Sequence, residues 1–296
     1  MTVAQLVPYT LGGSDAADIC GVGHGTPLDV YLRKTDPERF AVQDNEAMEW
    51  GRELQDDIDA GVRRRGYDVT PFPADGARDK ARPWLHGHPD GITVLQDEYA
   101  ILECKTVGYW AHREWDGGVP LEYDCQCQVY MHLTGFPRAL LAALVGGQRL
   151  ELHTVERNER AIAMILRLMG EFHERLVKGI PPDPLAGDKD AMYAQYPSAE
   201  EGSVGRYTKA QMDTVYDLRL LKEARGKIDA QIEEKENVLK RAHGDRRLMI
   251  APNDYEVSRW TPVSQSRFDK RRFERDHPDL CAEYSTTTEL RRFSLA

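Results

Sequence analysis

A chain of 296 residues, of which 41% are hydrophobic and 8% aromatic, is long enough to bury one sizeable core with an appended smaller unit. The formal net charge of −10 argues against a protein that coats nucleic acid mainly through phosphate contacts, although it leaves room for a local basic groove. No apolar run is long enough to cross a membrane, and the start of the chain lacks the pattern of a signal peptide. Five irregularly placed cysteines argue against a disulfide framework, so we expect a cytoplasmic protein without membrane association.

Three helices are predicted in the N-terminal part of the chain. Ser14 is a candidate N-cap for a short helix, and Thr26 followed by Pro27 starts a second helix that ends near Lys34. A longer amphipathic helix is predicted over residues 44–65 from apolar side chains at helical spacing, Met48, Leu54, Ile58 and Val62.

A basic segment follows, made up of Arg63, Arg64, Arg65, Arg78, Lys80 and Arg82. Such a segment can face DNA, because clustered cations offset the acidity of the remaining chain where phosphates approach. A solvated run of charges explains the same residues equally well, so both interpretations stay open.

The segment 88–107, HPDGITVLQDEYAILECKTV, predicts two strands joined by a short loop. Because neighbouring side chains in a strand alternate between its two sides, Glu103 and Lys105 share one side and Cys104 takes the other. The hairpin can bring Asp90 back to the side of Glu103. Two carboxylates and an ammonium group at a sheet edge would suit Mg²⁺ and an adjacent nucleophilic water. The alternative is an exposed hairpin whose solvated Glu–Lys pair has little energetic weight.

The elements after the hairpin indicate a mixed α/β order. A helix is predicted over residues 122–135, where Gln126 and Tyr130 are four residues apart and therefore share a face. Two strands are expected around a glycine pair, and an amphipathic helix follows over residues 159–178. This succession of helices and strands is typical of a mixed α/β domain.

The remaining residues predict an extension of different character. A polar linker is expected near residues 185–206, and a charged helix, which Gly226 can bend, over residues 207–242. The last fifty residues predict a hairpin, a helix and a short terminal strand. The long helix carries an imperfect apolar seam that can pack on its own domain, on a second copy or on another protein: Met212, Val215, Leu218, Leu221, Ile228, Ile232 and Leu239.

Six short motifs follow one another between about residues 9 and 182: LGGSD (11–15), EWGREL (49–54), HPDG (88–91), LECK (102–105), VPLEYDCQCQVYMHLTG (119–135) and VERN (155–158). Each motif is common by itself, but the order and the intervals make the combination specific. Together they resemble the YqaJ-type viral recombinases, relatives of phage lambda exonuclease within the PD-(D/E)xK nuclease superfamily.

The resemblance implies an α/β fold in four parts. A PD-(D/E)xK nuclease core, with a mixed central sheet flanked by helices, would occupy residues 1–185. A linker over 186–206 would lead to a long coiled-coil-like helical segment over 207–244 and a small α+β region over 245–296. The site would lie at one edge of the sheet, beside a DNA groove.

The resemblance also implies a function in phage-type recombination. The protein would be an exonuclease that depends on Mg²⁺ (or Mn²⁺) and hydrolyses phosphodiester bonds from the ends of linear double-stranded DNA, in the 5′ to 3′ direction. The single strands it leaves would serve annealing, so a single-strand annealing protein is an expected partner and a homo-oligomer an expected assembly. The alternative is a catalytically weak or silent DNA-binding or assembly protein that retains the nuclease fold.

The residues that match the family motifs would take the family's roles. Asp90 and Glu103 would ligate the metal, together with a neighbouring backbone carbonyl. Lys105 would orient the attacking water or help to deprotonate it, and Gln126 would position that water or a phosphate. Tyr130, one helical turn further on, would contact DNA phosphate, or it would simply pack as an aromatic side chain.

Two departures from the family pattern bear on the mechanism. Gln55 stands where the family usually has a glutamate, so a second metal site would lack a charge unless Glu53 or Glu49 supplies it. Relatives also often have an arginine shortly before the GGSD element, where it meets a terminal phosphate. This chain has none there, and Ser14 with the neighbouring backbone amides would hold the phosphate instead.

Two other kinds of metal site fit the sequence poorly. A four-cysteine iron–sulfur cluster is disfavoured because Cys125 and Cys127 point to diverging faces of a predicted helix and lack further partners. A zinc site would need histidines whose spacings match no helical or hairpin ligand pattern: His24, His86, His88 and His112.

Overall fold

The computed structural model describes residues 9–115, 117–286 and 291–295. Two compact units make up these residues, the first ending at Gln195 and the second beginning at Tyr196. No helix within the described ranges is both long enough and apolar enough to cross a membrane.

The first unit contains helices and strands in alternation. In chain order its helices are α1 (Gly13–Ile19), α2 (Pro27–Thr35), α3 (Pro37–Phe40), α4 (Glu46–Glu53), α5 (Gln55–Arg64), α6 (Leu121–Thr134), α7 (Glu159–Lys178) and α8 (Lys189–Gln195). Its strands are β1 (Leu11–Gly12), β2 (Thr70–Pro71), β3 (Ala77–Arg78), β4 (Leu85–Gly87), β5 (Gly91–Leu95), β6 (Glu98–Val107), β7 (Arg138–Val145) and β8 (Arg149–Glu156).

A five-stranded mixed sheet is the centre of this unit, with strand order β2-β5-β6-β7-β8. Strand β6 pairs antiparallel with β5 and parallel with β7, and β8 runs antiparallel to β7. A smaller sheet has the order β1-β4-β3. The mixed central sheet with helices that the motifs predict is thus confirmed. Because β6 is an interior strand, however, the expectation that Asp90, Glu103 and Lys105 meet at a sheet edge is wrong.

Helices cover both faces of the central sheet, and the alternation of β6 sorts its side chains between them. Leu102 packs in the cluster that contains Ile58 of α5. Ile101 packs on the other side, in the cluster that contains Met131 of α6. Side chains two apart in a strand share a face, so Glu103 lies on the face that α6 covers.

The single helix predicted over residues 44–65 is two helices in the structure. Leu54 ends α4 and precedes α5. Met48 of α4 is 40% exposed, whereas Ile58 and Val62 of α5 are buried against the sheet. The apolar residues therefore have helical spacing along the sequence but do not share one buried face.

The first helix begins before the predicted cap. Gly12 is the N-cap of α1, and the Asp15 carboxylate accepts a hydrogen bond from the Gly12 N–H at 2.8 Å. Ser14 lies exposed in the first turn, so its predicted capping role is wrong. The second prediction is confirmed, because Thr26 caps α2 and accepts a hydrogen bond from the Asp29 N–H.

The segment expected to be a linker is structured in its first part. A 3-10 turn (Ala186–Asp188) precedes α8, and the buried Asp188 accepts a hydrogen bond from the Thr26 hydroxyl. The first unit therefore continues beyond residue 185, because this polar segment is fastened to the start of α2.

The second unit consists of α9 (Lys209–His243), β9 (Leu248–Ile250), β10 (Glu256–Arg259), α10 (Lys270–Asp276) and α11 (Pro278–Glu283). The predicted long helix and hairpin are confirmed, and α9 continues through Gly226. The helix expected near residue 270 is present as two helices, α10 and α11. Pro278 is the first residue of α11, because proline cannot continue the preceding helix. Residues 291–295 do not form the predicted terminal strand, and residues 289 and 290 lie outside the described ranges.

Gln128 fastens α6 to two other elements of the first unit. Its Nε2 donates to the backbone carbonyl of Glu156 at 2.9 Å and to Oδ1 of Asp124 at 3.0 Å. Its Oε1 accepts a hydrogen bond from the Asn158 N–H at 2.9 Å. The side chain is 2% exposed, so water does not reach it to replace these hydrogen bonds.

We expect Gln128→Ala to lower the free energy of unfolding by about 2–3 kcal/mol, because it removes a buried side chain that makes three hydrogen bonds. Chemical denaturation measures this loss. The control is Gln148→Ala, an exposed glutamine between β7 and β8, which should stay within about 1 kcal/mol of the unchanged protein. Equal losses in both variants would contradict the assignment of Gln128 as the structural glutamine.

Candidate active site

The β5–β6 hairpin places Asp90 beside Glu103. Its two turn residues have positive φ angles of 52° and 64°, the conformation of a tight two-residue hairpin turn. The resulting register pairs Gly91 with Leu102, so the residues just outside this pair are neighbours. Oδ2 of Asp90 accepts a hydrogen bond from the Cys104 N–H at 2.7 Å, which fixes the carboxylate at the strand.

Lys105 and Gln126 both bind one oxygen of Glu103. Nζ of Lys105 lies 2.6 Å from Oε1 of Glu103, on the shared side that strand alternation predicts. Nε2 of Gln126 donates to the same oxygen at 2.8 Å and lies 2.9 Å from the Tyr130 hydroxyl. Helix α6 thus contributes the two polar side chains that its four-residue spacing places on one face.

The other oxygen of Glu103, Oε2, is buried and accepts no hydrogen bond from the described residues. Glu103 is 3% exposed. Burial raises the pKa of Glu103 to about 7; the charge of Lys105 opposes this rise, and the nearby Asp90 adds to it. Burial also raises the pKa of Asp90, against the Cys104 N–H bond and the Lys105 charge.

Lys105 is a cation in this environment. Burial by itself would lower the pKa of Lys105, but the charge of Glu103 and its hydrogen bond outweigh burial, and the net pKa is raised. The ammonium also lies 5.5 Å from the ring centroid of Tyr123. One ammonium therefore faces two carboxylates.

This arrangement fits a hard divalent cation. An ionised carboxylate in a buried position needs positive charge or hydrogen bonds, and Oε2 of Glu103 has no hydrogen-bond partner in the described chain. Mg²⁺ commonly binds through one or two carboxylates and keeps several waters. The described residues contain no cluster of three His, Cys, Asp or Glu side chains arranged to hold a metal, so Asp90 and Glu103 are candidate ligands as a pair.

Tyr130 has a packing role that the sequence left open. A Cβ atom added to Gly13 would lie 2.4 Å from the Tyr130 ring, and one added to Gly87 would lie 2.8 Å from it. Burial raises the pKa of Tyr130 well above its usual value, so the hydroxyl is neutral beside Gln126. The second glycine of the GGSD element is therefore required by the close approach of this ring. Its contact with phosphate stays a prediction.

Sequence reasoning missed a third carboxylate, Asp59 on α5, which is 8% exposed. Its Oδ1 accepts hydrogen bonds from Nε2 of Gln55 at 3.3 Å and from Sγ of Cys104 at 3.6 Å. After burial, the Cys104 N–H bond and the Lys105 charge, Asp59 is the next influence on the pKa of Asp90, which it raises. The available signal was an acidic side chain directly after Ile58, on the apolar face of its helix.

The candidates for the missing family glutamate lie in different surroundings. Gln55 is half-buried and bonds Asp59, on the side of β6 that Cys104 faces. Glu49 and Glu53 are exposed on α4. The structure therefore connects Gln55 to the site through Asp59 and leaves the two glutamates at the surface.

The four histidines considered as zinc ligands have other neighbours in the structure. His24 lies 3.2 Å from Glu122, and His112 lies 2.8 Å from Glu151. Nδ1 of His86 donates to the Leu11 carbonyl at 2.9 Å, while its ring contacts the ring of His88 edge-on at 6.0 Å. His24, His86 and His112 thus have polar partners within the chain.

Cys125 and Cys127 also fail to form a ligand pair. The two residues pack in different core clusters, on the diverging faces that the helical spacing predicts. The cysteines of the chain are free thiols.

Residues 6–137 match the model of the YqaJ-like viral recombinase domain. A curated relative, the uncharacterized protein YqaJ of Bacillus subtilis (strain 168), is 27% identical over 299 residues, which cover 96% of this chain and 90% of that protein.

Solved structures of similar fold include two exonucleases. The alkaline exonuclease LHK-Exo from Laribacter hongkongensis has a TM-score of 0.48 at 20% identity, over 57% of this chain and 89% of that one. A phage-related exonuclease from Haemophilus somnus 129PT has a TM-score of 0.46 at 14% identity, over 59% of this chain and 97% of that one. The match over residues 6–137 and the similarity to YqaJ agree with the motifs: this part of the chain is similar to the YqaJ-like viral recombinase domain.

Proposed function

We propose that this protein is a metal-dependent exonuclease that hydrolyses phosphodiester bonds of linear double-stranded DNA. The observation that supports it most directly is Oε2 of Glu103, a buried carboxylate oxygen without a partner among the described residues, next to Asp90 and Lys105. The viral recombinase family of residues 6–137 supports DNA as the substrate. Mg²⁺ or Mn²⁺ is the proposed cofactor, since both accept carboxylate and water ligands.

Asp90 and Oε2 of Glu103 would hold the cation, with a backbone carbonyl of β6 beside them. When bound, the cation supplies positive charge for the phosphate oxygens and for the leaving 3′ oxygen. The two donors on Oε1 of Glu103 leave Oε2 free for this task.

Lys105 would orient the attacking water. Its ammonium is already held 2.6 Å from Oε1 of Glu103, and it has donors to spare for a water or a phosphate oxygen. Since its pKa is raised, Lys105 is an ammonium that donates hydrogen bonds, so in this state it orients the water and does not take up the water's proton. Gln126 would share this positioning role from α6.

Few side chains are available to define the path of the DNA. Several basic side chains predicted to face DNA bind the chain itself, Arg63 to the Val69 carbonyl and Arg65 to the Leu150 carbonyl among them. Ser14 and Tyr130 remain the proposed phosphate contacts. We propose 5′ to 3′ digestion that leaves single strands for an annealing protein, in the cytoplasm of a bacterial host.

The decisive assay is digestion of linear duplexes labelled at either 5′ or 3′ end, with and without a 5′ phosphate, in Mg²⁺ or EDTA. We expect label release from one end only, and only with metal. Asp90→Asn, Glu103→Gln and Lys105→Met should each slow digestion at least about a hundredfold, because each removes charge from the transition state.

The matched control is Glu98→Gln, an exposed glutamate on the same strand, which should digest DNA at the normal rate. Normal digestion by Glu103→Gln would contradict the proposed site. DNA binding without cleavage by the unchanged protein would favour the silent DNA-binding alternative.

The raised pKa of Glu103 predicts how stability depends on pH in EDTA. Because the folded value of about 7 lies above the ordinary 4.5, the folded state binds this proton more tightly than the unfolded chain. The contribution of Glu103 to stability is therefore full below pH 4.5 and is lost as the pH rises through 7. Mg²⁺ should restore stability above pH 7 and have little effect near pH 5.

Thermal unfolding at both pH values, with EDTA or Mg²⁺, measures these changes. Glu103→Gln should be more stable than the unchanged protein at pH 8 in EDTA and should lose the Mg²⁺ effect. An equal Mg²⁺ effect in this variant would show that the stabilising ion binds elsewhere.

Substitution of Gln55 tests whether this position would help to hold a second metal ion. Gln55→Glu would put a carboxylate against Asp59, whose oxygen Gln55 now binds at 3.3 Å, so we expect a loss of about 1 kcal/mol in EDTA from like-charge repulsion. Adding Asp59→Asn should recover this loss. The exposed Glu53→Gln should change neither stability nor rate.

Titration of Mg²⁺ against digestion rate separates the alternatives for this helix. If Gln55→Glu instead left stability unchanged and lowered the Mg²⁺ concentration for half-maximal rate, position 55 would face a metal directly. A severe effect of Glu49→Gln or Glu53→Gln would assign the missing charge to α4.

A further inference from the structure

Helix α9 carries a stripe of large apolar side chains that face solvent. Leu221, Ile228, Ile232 and Leu239 are 67%, 55%, 51% and 53% exposed. Their spacings of seven, four and seven residues place them within about 40° of one another around a helix that turns 100° per residue. Within the described residues, this 35-residue helix buries only His243. Most helices of such length are stabilised by packing of an apolar face, so we expect the stripe to pack against another helix or surface.

The stripe follows a seven-residue pattern, as in a coiled coil. One core series contains Leu218, Arg225, Ile232 and Leu239. The other contains Leu221, Ile228, Lys235 and Ala242. Each series is thus interrupted once by a basic residue, and these two interruptions restrict how a second helix can be aligned.

The charge of α9 changes sign at its middle. Residues 219–227 contain four basic and one acidic side chain, whereas residues 229–236 contain four acidic and one basic side chain. Two such helices side by side attract each other when they run in opposite directions and repel when they run in the same direction. The charge pattern therefore makes α9 complementary to itself.

We propose that α9 pairs with α9 of a second copy of this chain as an antiparallel coiled coil. The two-fold axis would pass between positions 226 and 227, so that Leu221 of each copy meets Ile232 of the other. Arg225 would meet Ile228, and Lys222 would meet Asp229 at the flank of the core. A parallel pair in register would instead stack Arg225 on Arg225 and Lys235 on Lys235, which places like charges in the core.

Light scattering of the full chain after gel filtration tests the surface. The unchanged protein should be a dimer, and Leu221→Asp should be a monomer at the same concentration. Leu220→Asp is the matched control: Leu220 is 65% exposed, against 67% for its neighbour, but it points away from the stripe. A monomeric unchanged protein, or equal effects of the two substitutions, would overturn the proposal.

Charge exchange tests the antiparallel direction. Lys222→Glu and Asp229→Lys should each weaken self-association about tenfold, because each places like charges opposite one another twice in the dimer. The double variant should recover the affinity of the unchanged protein. Circular dichroism verifies that each variant keeps its helix content. Additive losses in the double variant would rule out this pairing.

Cysteine cross-linking gives an independent measure of direction. Leu221→Cys and Ile232→Cys, mixed and oxidised, should form disulfides between the two variants, with the unchanged protein as the control for its own thiols. Each variant cross-linking only to itself would establish a parallel pair and contradict the proposal.

Discussion

The burial of Glu103 on an interior strand is the constraint on which the rest of the site depends. A carboxylate removed from water is unfavourable unless hydrogen bonds or positive charge compensate. Lys105 and Gln126 satisfy one oxygen, while the second has no partner in the described chain and feels the like charge of Asp90. The site is thus built with more negative charge than its single ammonium offsets, and a bound cation would relieve the excess.

Packing keeps this unfavourable arrangement in place. The hairpin register brings Asp90 to Glu103, and the Cys104 N–H fixes the Asp90 carboxylate. From the other side, α6 is held by the ring of Tyr130 against two glycines and by the bonds of Gln128 to β8 and α7. The unfavourable gathering of charge is therefore held by the packing around it, as is usual for functional sites.

The parts of the site that depend on one element could be predicted from sequence. Strand alternation is enough to place Glu103 and Lys105 on one side, and helical spacing is enough to place Gln126 and Tyr130 on one face. The interior position of β6 and the contribution of Asp59 depend on which elements pack together, which local periodicity does not encode. The break between α4 and α5 is missed for the same reason, because the apolar spacing continues across Leu54.

The central claim is that the carboxylates of Asp90 and Glu103 hold a divalent cation. Anomalous diffraction from crystals soaked in Mn²⁺ tests it most directly, because Mn²⁺ is distinguished from water by its anomalous signal and binds the same oxygen ligands as Mg²⁺. The account predicts a peak within about 2.0–2.4 Å of Oε2 of Glu103 and of an Asp90 oxygen. A well-occupied Mn²⁺ peak elsewhere in the first unit, with none at Glu103, would contradict it.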